Sequence, residues 1–210
     1  MEYLHAVTVR IWEPVEPIKR GERYEDPLQA ALQAQALGRV DGGGSQLAEL
    51  GEILFAEVEV YLANLDEALA LTRRVLEGAG APQGSEFRFG ESAARPPMKF
   101  GTQQGLAIYL DGVSLPADVY AALNLDEVVD EIEASLGLGG NALRGSWGGP
   151  EETSLYFYGP DAEAMFVQSE PLLRRLPICQ NARVVVRHGN PELHPRTVRL
   201  PRHGNPAPKL

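Results

Sequence analysis

One segment order occurs twice in this chain, and it limits the fold more than any other feature. Glu52 to Leu62 (EILFAEVEVYL) alternates apolar and polar residues, as a strand with one buried face does. Leu65 to Gly80 carries apolar residues at helical spacing, Ala81-Pro82 stops it, and Ser85 to Phe89 (SEFRF) returns to strand. The order reappears from Ser154 to Arg187: strand SLYFYG, helix DAEAMFVQSEPLLRRL, the stop PICQ, strand ARVVVR. A strand–helix–strand unit buries one sheet face under its helix and leaves the other to be used or covered. The repetition restricts architecture and identifies no reaction.

What precedes each unit completes a longer pattern. Glu2 to Trp12 reads as a strand, and Glu13 to Glu25, with Pro14, Pro17 and Gly21 among charges, as a long loop. Asp26-Pro27 suits an N-cap followed by proline at the first helical position, with a short helix to Leu37 that Gly38 ends. A short strand and a glycine-rich turn holding DGGGS are expected between Gly38 and Gly51. Asn64 is the expected N-cap of the next helix, with Gly78 or Gly80 near its end. In the second half, Gly105 to Asp111 reads as a strand and Ala117 to Leu136 as one or two helical pieces around Asn124. Asn141 to Trp147 reads as a strand and GGPEE as a turn, while Pro171 kinks or splits the last helix.

The order β-α-β-β-α-β, met twice over residues 1 to 187, resembles the ferredoxin-like superfold. That resemblance implies an antiparallel sheet with two helices on one face; it implies no function, because the superfold hosts many. The expected architecture is therefore α+β. It comprises two tandem ferredoxin-like βαββαβ units with antiparallel sheets, at 1–92 and 105–187, joined by a linker at 93–104. An irregular, basic, proline-rich tail follows at 188–210, where RHGNP occurs at 187–191 and 202–206.

Charge narrows the partners. The chain has 29 acidic and 19 basic residues, a net −10. From Arg187 onward five basic residues face Glu192 alone, so the tail is +4 and the preceding body −14. Such a body repels nucleic-acid backbones and attracts basic partners, chiefly through encounter rates. The helix DEVVDEIE (126–133) concentrates that charge, whether as a solvated face or as a surface for a basic protein. No run approaches a membrane span, and a single cysteine excludes an intrachain disulfide, so a cytosolic protein is expected. The basic tail either drapes the surface or ties protomers into a homo-oligomer.

Strand alternation selects the candidate residues. With Ala56, Val58, Val60 and Leu62 under the helices, Phe55, Glu57, Glu59 and Tyr61 take the opposite face. Thr8, Arg10 and Trp12 on the first strand, and Arg88 on the last, should lie beside them. Two carboxylates and two guanidiniums on one surface bind a charged ligand, do acid–base work, or neutralise each other as cross-strand pairs. In the second unit the same operation puts Tyr109, Asp111, Tyr156, Tyr158, Arg183 and Arg187 on the open face. Leu106, Ile108, Leu110, Leu155, Phe157, Val184 and Val186 become core. Tyrosine with arginine at its edge suits a binding surface, or two sheets packed together.

Other signals are weak. Gly42-Gly43-Gly44-Ser45 lacks the lysine of a phosphate loop, and neither GxSxG nor HExxH occurs. His188 and His194 lack a metal-ligand spacing, Cys179 has no adjacent base, and no cofactor is expected. The leading expectation is a non-catalytic acidic binding protein, such as an immunity-type inhibitor of a basic protein. An enzyme or small-molecule sensor with its ligand between the two sheets is the alternative.

Overall fold

The computed structural model describes residues 5–90, 95–189 and 195–202, and the chain divides into two compact units, Met1–Gln103 and Gln104–Leu210. It is a mixed α/β fold with two five-stranded antiparallel sheets. Among the described residues no helix is long and apolar enough to cross a membrane.

In unit 1, β1 (His5–Ile11), β2 (Gly38–Leu47), β3 (Ile53–Leu62), β4 (Ser85–Phe89) and β5 (Met98–Phe100) are ordered β2-β3-β1-β4-β5. Val7, Val9, Ile11, Ala56, Val58, Val60, Leu62 and Phe87 point to one face and are buried with Leu28 and Leu32 of α2 (Asp26–Ala34) and Leu69 and Leu76 of α3 (Leu65–Gly78). Full burial of each valine, leucine, isoleucine or phenylalanine side chain among these contributes about 1.5–3 kcal/mol. α3 ends in a Schellman motif: Ala81 N–H donates to Leu76 O, Gly80 N–H donates to Glu77 O, and Gly80 takes φ +83°.

Four local expectations in unit 1 are corrected. The loop expected at 13–25 contains α1 (Pro17–Arg20) and a π-helical stretch (Gly21–Glu25) that runs straight into α2. Asp26 is therefore helical rather than a cap, and its N–H donates to Gly21 O. This wider turn spares the proline ring at Pro27 the usual clash one turn back. DGGGS lies inside β2, not in a bend; a Cβ at Gly43 would come within 2.8 Å of Glu25 and 3.0 Å of Arg20, which cross the strand there. Asn64 does precede α3, but with φ +45°, and its amide donates to Glu67 instead of capping the backbone.

In unit 2, β6 (Gln104–Asp111), β7 (Leu143–Gly148), β8 (Glu152–Gly159), β9 (Arg183–Arg187) and β10 (Arg196–Arg199) are ordered β10-β9-β6-β8-β7. α4 (Ala117–Ala121) and α5 (Leu125–Ser135) break at Asn124, and α6 (Ala162–Leu173) runs through Pro171 unsplit. Leu106, Ile108, Leu110, Leu155, Phe157, Val184 and Val186 are all buried beneath these helices. Cys179 is in the same core, where burial pushes its thiol up to about 12.

Two boundaries move. Met98–Phe100, inside the expected 93–104 linker, is the edge strand β5 of unit 1. Within the expected irregular tail, β10 pairs antiparallel with β9 of its own chain, and Leu200 is buried with the unit 2 core. Proline forbids helix here but not an edge strand, where only one side must pair. Residues 190–194 and 203–210, including His194 and most of the second RHGNP, lie outside the described residues.

Candidate functional site

The open face of the unit 1 sheet is set out by its register. Arg39, Tyr61 and Ala6 form one cross-strand row; Gly42, Glu59, Thr8 and Arg88 the next; Gly44, Glu57, Arg10, Glu86 and Lys99 the third. The charged side chains are thus on one surface, as the alternation expects. Most neutralise each other. Arg10 donates to Glu57 Oε1 from Nε (2.9 Å) and Nη2 (2.7 Å), and Arg88 approaches the same oxygen at 3.9 Å and Glu86 at 3.7 Å. The Arg10 guanidinium also lies 3.9 Å from the Phe55 ring centre and 5.5 Å from that of Trp12. Trp12 and Phe55 meet edge-to-face at 5.0 Å and are both buried, so that end of the face is closed.

The other end is open. Glu59 is exposed, Tyr61 half-buried, and the Arg39 guanidinium lies 4.7 Å from the Tyr61 ring centre. Two shallow depressions meet at Thr8 and Gly90. One, of about 320 Å³, is bounded by Arg10, Glu57 and Arg88, and the other, of about 200 Å³, by Ala6, Glu59 and Tyr61. Among the described residues Glu59 has no ion-pair partner, whereas Glu57 and Glu86 do.

In unit 2 the exposed binding surface, one of the two readings of this face, is not present among the described residues. Tyr109, Tyr156 and Tyr158 do lie opposite the helices, but they are 3, 2 and 4 % exposed and cluster with Ala107 and Val185. They present no free tyrosine face. Small residues make room for them: Tyr158 lies over Gly105, 3.2 Å from where a Cβ would be, and Tyr156 is across from Ala107. The arginines stack on these rings. The Arg183 guanidinium is 3.6 Å from the Tyr109 centre, and Arg187 Nη2 donates to Tyr109 Oη at 2.7 Å. Burial alone would lower the Arg183 pKa, but the hydrogen bond and charge of Glu152 (2.6 Å), with Tyr109, outweigh it and raise it.

Asp111 has a different task from the one its place in the register suggests. It closes the loop after β6, accepting from Val113 N–H (3.0 Å), Ser114 N–H (2.8 Å), the Ser114 hydroxyl and Asn181 Nδ2 (3.0 Å). Burial would raise its pKa; those hydrogen bonds overcome it and hold the carboxyl well below the usual range. Ser114 O in turn accepts from Arg202, which ties the last described residue to this loop.

Several polar residues escaped the sequence reading. Glu86 faces the same way as Arg88 by simple alternation in SEFRF, a legible signal. Arg39 was lost because DGGGS reads as a turn. Glu13, 1 % exposed, accepts from Arg23 and Tyr24, which only the unforeseen π-helical stretch could bring to it. Among the described residues no group of three or more metal-ligating side chains converges.

No family model and no curated protein matches the chain. A solved structure of an unknown protein from Galdieria sulphuraria is similar at 15% identity over 89% of this chain and 98% of that one, with a TM-score of 0.27. That likeness carries no functional argument.

Proposed function

We propose that the chain is a non-catalytic, acidic binding protein whose partner is a basic protein, an immunity-type inhibitor being one form of it. The scaffold is read as two ferredoxin-like βαββαβ modules in tandem, each extended by a fifth edge strand. The shared order of second, third, first, fourth and fifth strand supports that reading. The observation that carries the function is the outer face of α5. Leu125, Val128, Val129, Ile132 and Leu136 turn into the core, leaving Asp126, Glu127, Asp130 and Glu131 exposed. Among the described residues none of these four has a cationic partner. Four carboxylates one turn apart repel each other, a cost that a basic partner would relieve while speeding encounter.

The test is capture from source lysate at about 50 mM and about 500 mM salt, which spans the change from long-range to short-range electrostatics. The chain is compared with Asp126→Asn, Glu127→Gln, Asp130→Asn and Glu131→Gln combined. A basic protein retained at low salt and lost on neutralising α5 is expected. Capture of nothing at either salt, or equal capture by the neutralised chain, would reject the proposal.

A further inference from the structure

We propose a second recognition site, on the open face of unit 1: the depression beside Glu59 and Tyr61 takes one guanidinium or alkylammonium group. Four observations converge on it. Glu59 is the exposed carboxylate on this face that no described cation neutralises, although Arg10 and Arg88 stand within the same three cross-strand rows. Both arginines are turned instead to Glu57 and Glu86. The space is real: Ala6 and Thr8, opposite Tyr61 and Glu59, are short, and a depression of about 200 Å³ remains above them. The β2 side is also bare, since Gly42 pairs with Glu59 and a Cβ there would meet nothing within 4 Å.

The ring supplies the second half of the argument. Tyr61 already accepts a guanidinium on its face from Arg39, so its π-surface faces a position that a cation occupies. Arg39 comes from the β2 side, where it also pairs with Asp41 at 3.3 Å. The depression lies on the β1 side of the same ring. An incoming cation there meets the Glu59 carboxylate beside the Tyr61 ring, and the carboxylate selects positive charge over neutral polar groups. Arg39 opposes it by like charge. The site therefore has a built-in competitor, and its removal should strengthen binding.

The probes are N-acetyl-arginine methylamide and, as an uncharged twin of the same shape, N-acetyl-citrulline methylamide. Each is titrated into the full chain while backbone amide NMR shifts are followed. The arginine probe should give saturable shifts at Thr8, Gly42, Glu59 and Tyr61, and the citrulline probe none. Glu59→Gln and Tyr61→Leu should each weaken binding about two- to fivefold, and Arg39→Ala should tighten it by a similar factor. The α5-neutralised chain should bind the probe as before, which separates this site from the preceding proposal. Glu59 is exposed, so its variant is expected to melt with the parent; Tyr61→Phe, which keeps the ring, should bind normally. Equal shifts with citrulline, unchanged binding by Glu59→Gln, or non-saturating shifts spread over α5 as well would each overturn the proposal.

Discussion

Replacing Leu200 with alanine tests whether the last described residues belong to the fold. Leu200 is 3 % exposed, packs in the unit 2 core, and its N–H donates to Ala182 O at 2.9 Å. Deleting a buried leucine side chain costs about 2–5 kcal/mol. Here the upper end is out of reach, because Leu200 follows a four-residue edge strand that can lift off locally and so limit the loss. The expected cost is about 2 kcal/mol, or about 8–16 °C in the melting of a unit of this size. Trp12 is in unit 1 and Trp147 in unit 2, so in a Trp12→Phe background tryptophan fluorescence follows unit 2 alone. Urea unfolding should show a lowered midpoint with an unchanged slope. Thr197→Ala, at an exposed position of β10, should cost under about 0.5 kcal/mol. If Leu200→Ala costs no more than Thr197→Ala, the strand is not part of the cooperative unit and the reasoning fails.

Two further perturbations follow from the backbone and from charge. Gly101 has φ +95°, and a Cβ there would sit 1.9 Å from Pro82 O, whereas Gly51, at φ +87°, has open space. Gly101→Ala should therefore cost well over the about 1 kcal/mol of backbone strain expected at Gly51→Ala; equal losses in urea midpoints would refute the close approach. Asp111 has a folded pKa below its unfolded value of about 3.9, so its stabilisation is complete above that value and is lost as pH falls toward the folded one. The stability gap between the parent and Asp111→Asn should be constant from pH 7 to about 5 and close below about 4. A gap that widens on acidification would contradict the hydrogen-bonded carboxylate.

The face assignments were legible because strand alternation is a local property. Val58 against Glu57, or Ile108 against Tyr109, differ by one residue, and one residue turns a side chain through the sheet. Which residues share a row was also within reach once Thr8 was set beside Glu59. What periodicity does not report is the state of the second face. The tyrosines of unit 2 alternate as a binding surface would, yet they are buried, and exposure depends on what the rest of the chain brings there.

Apolar periodicity by itself determined β1, β3, β4, β6, β8 and β9, the helices α3 and α6, and the side on which Glu57, Glu59 and Arg10 stand. Tertiary structure alone decided that Met98–Phe100 and Arg196–Arg199 become edge strands, and that Arg10 neutralises Glu57 while Glu59 is left exposed. The physical reason is range. Periodicity is written into neighbouring residues, whereas an edge strand exists only if a partner strand has an unpaired side. An ion pair likewise forms only where two side chains from distant segments meet at hydrogen-bonding distance.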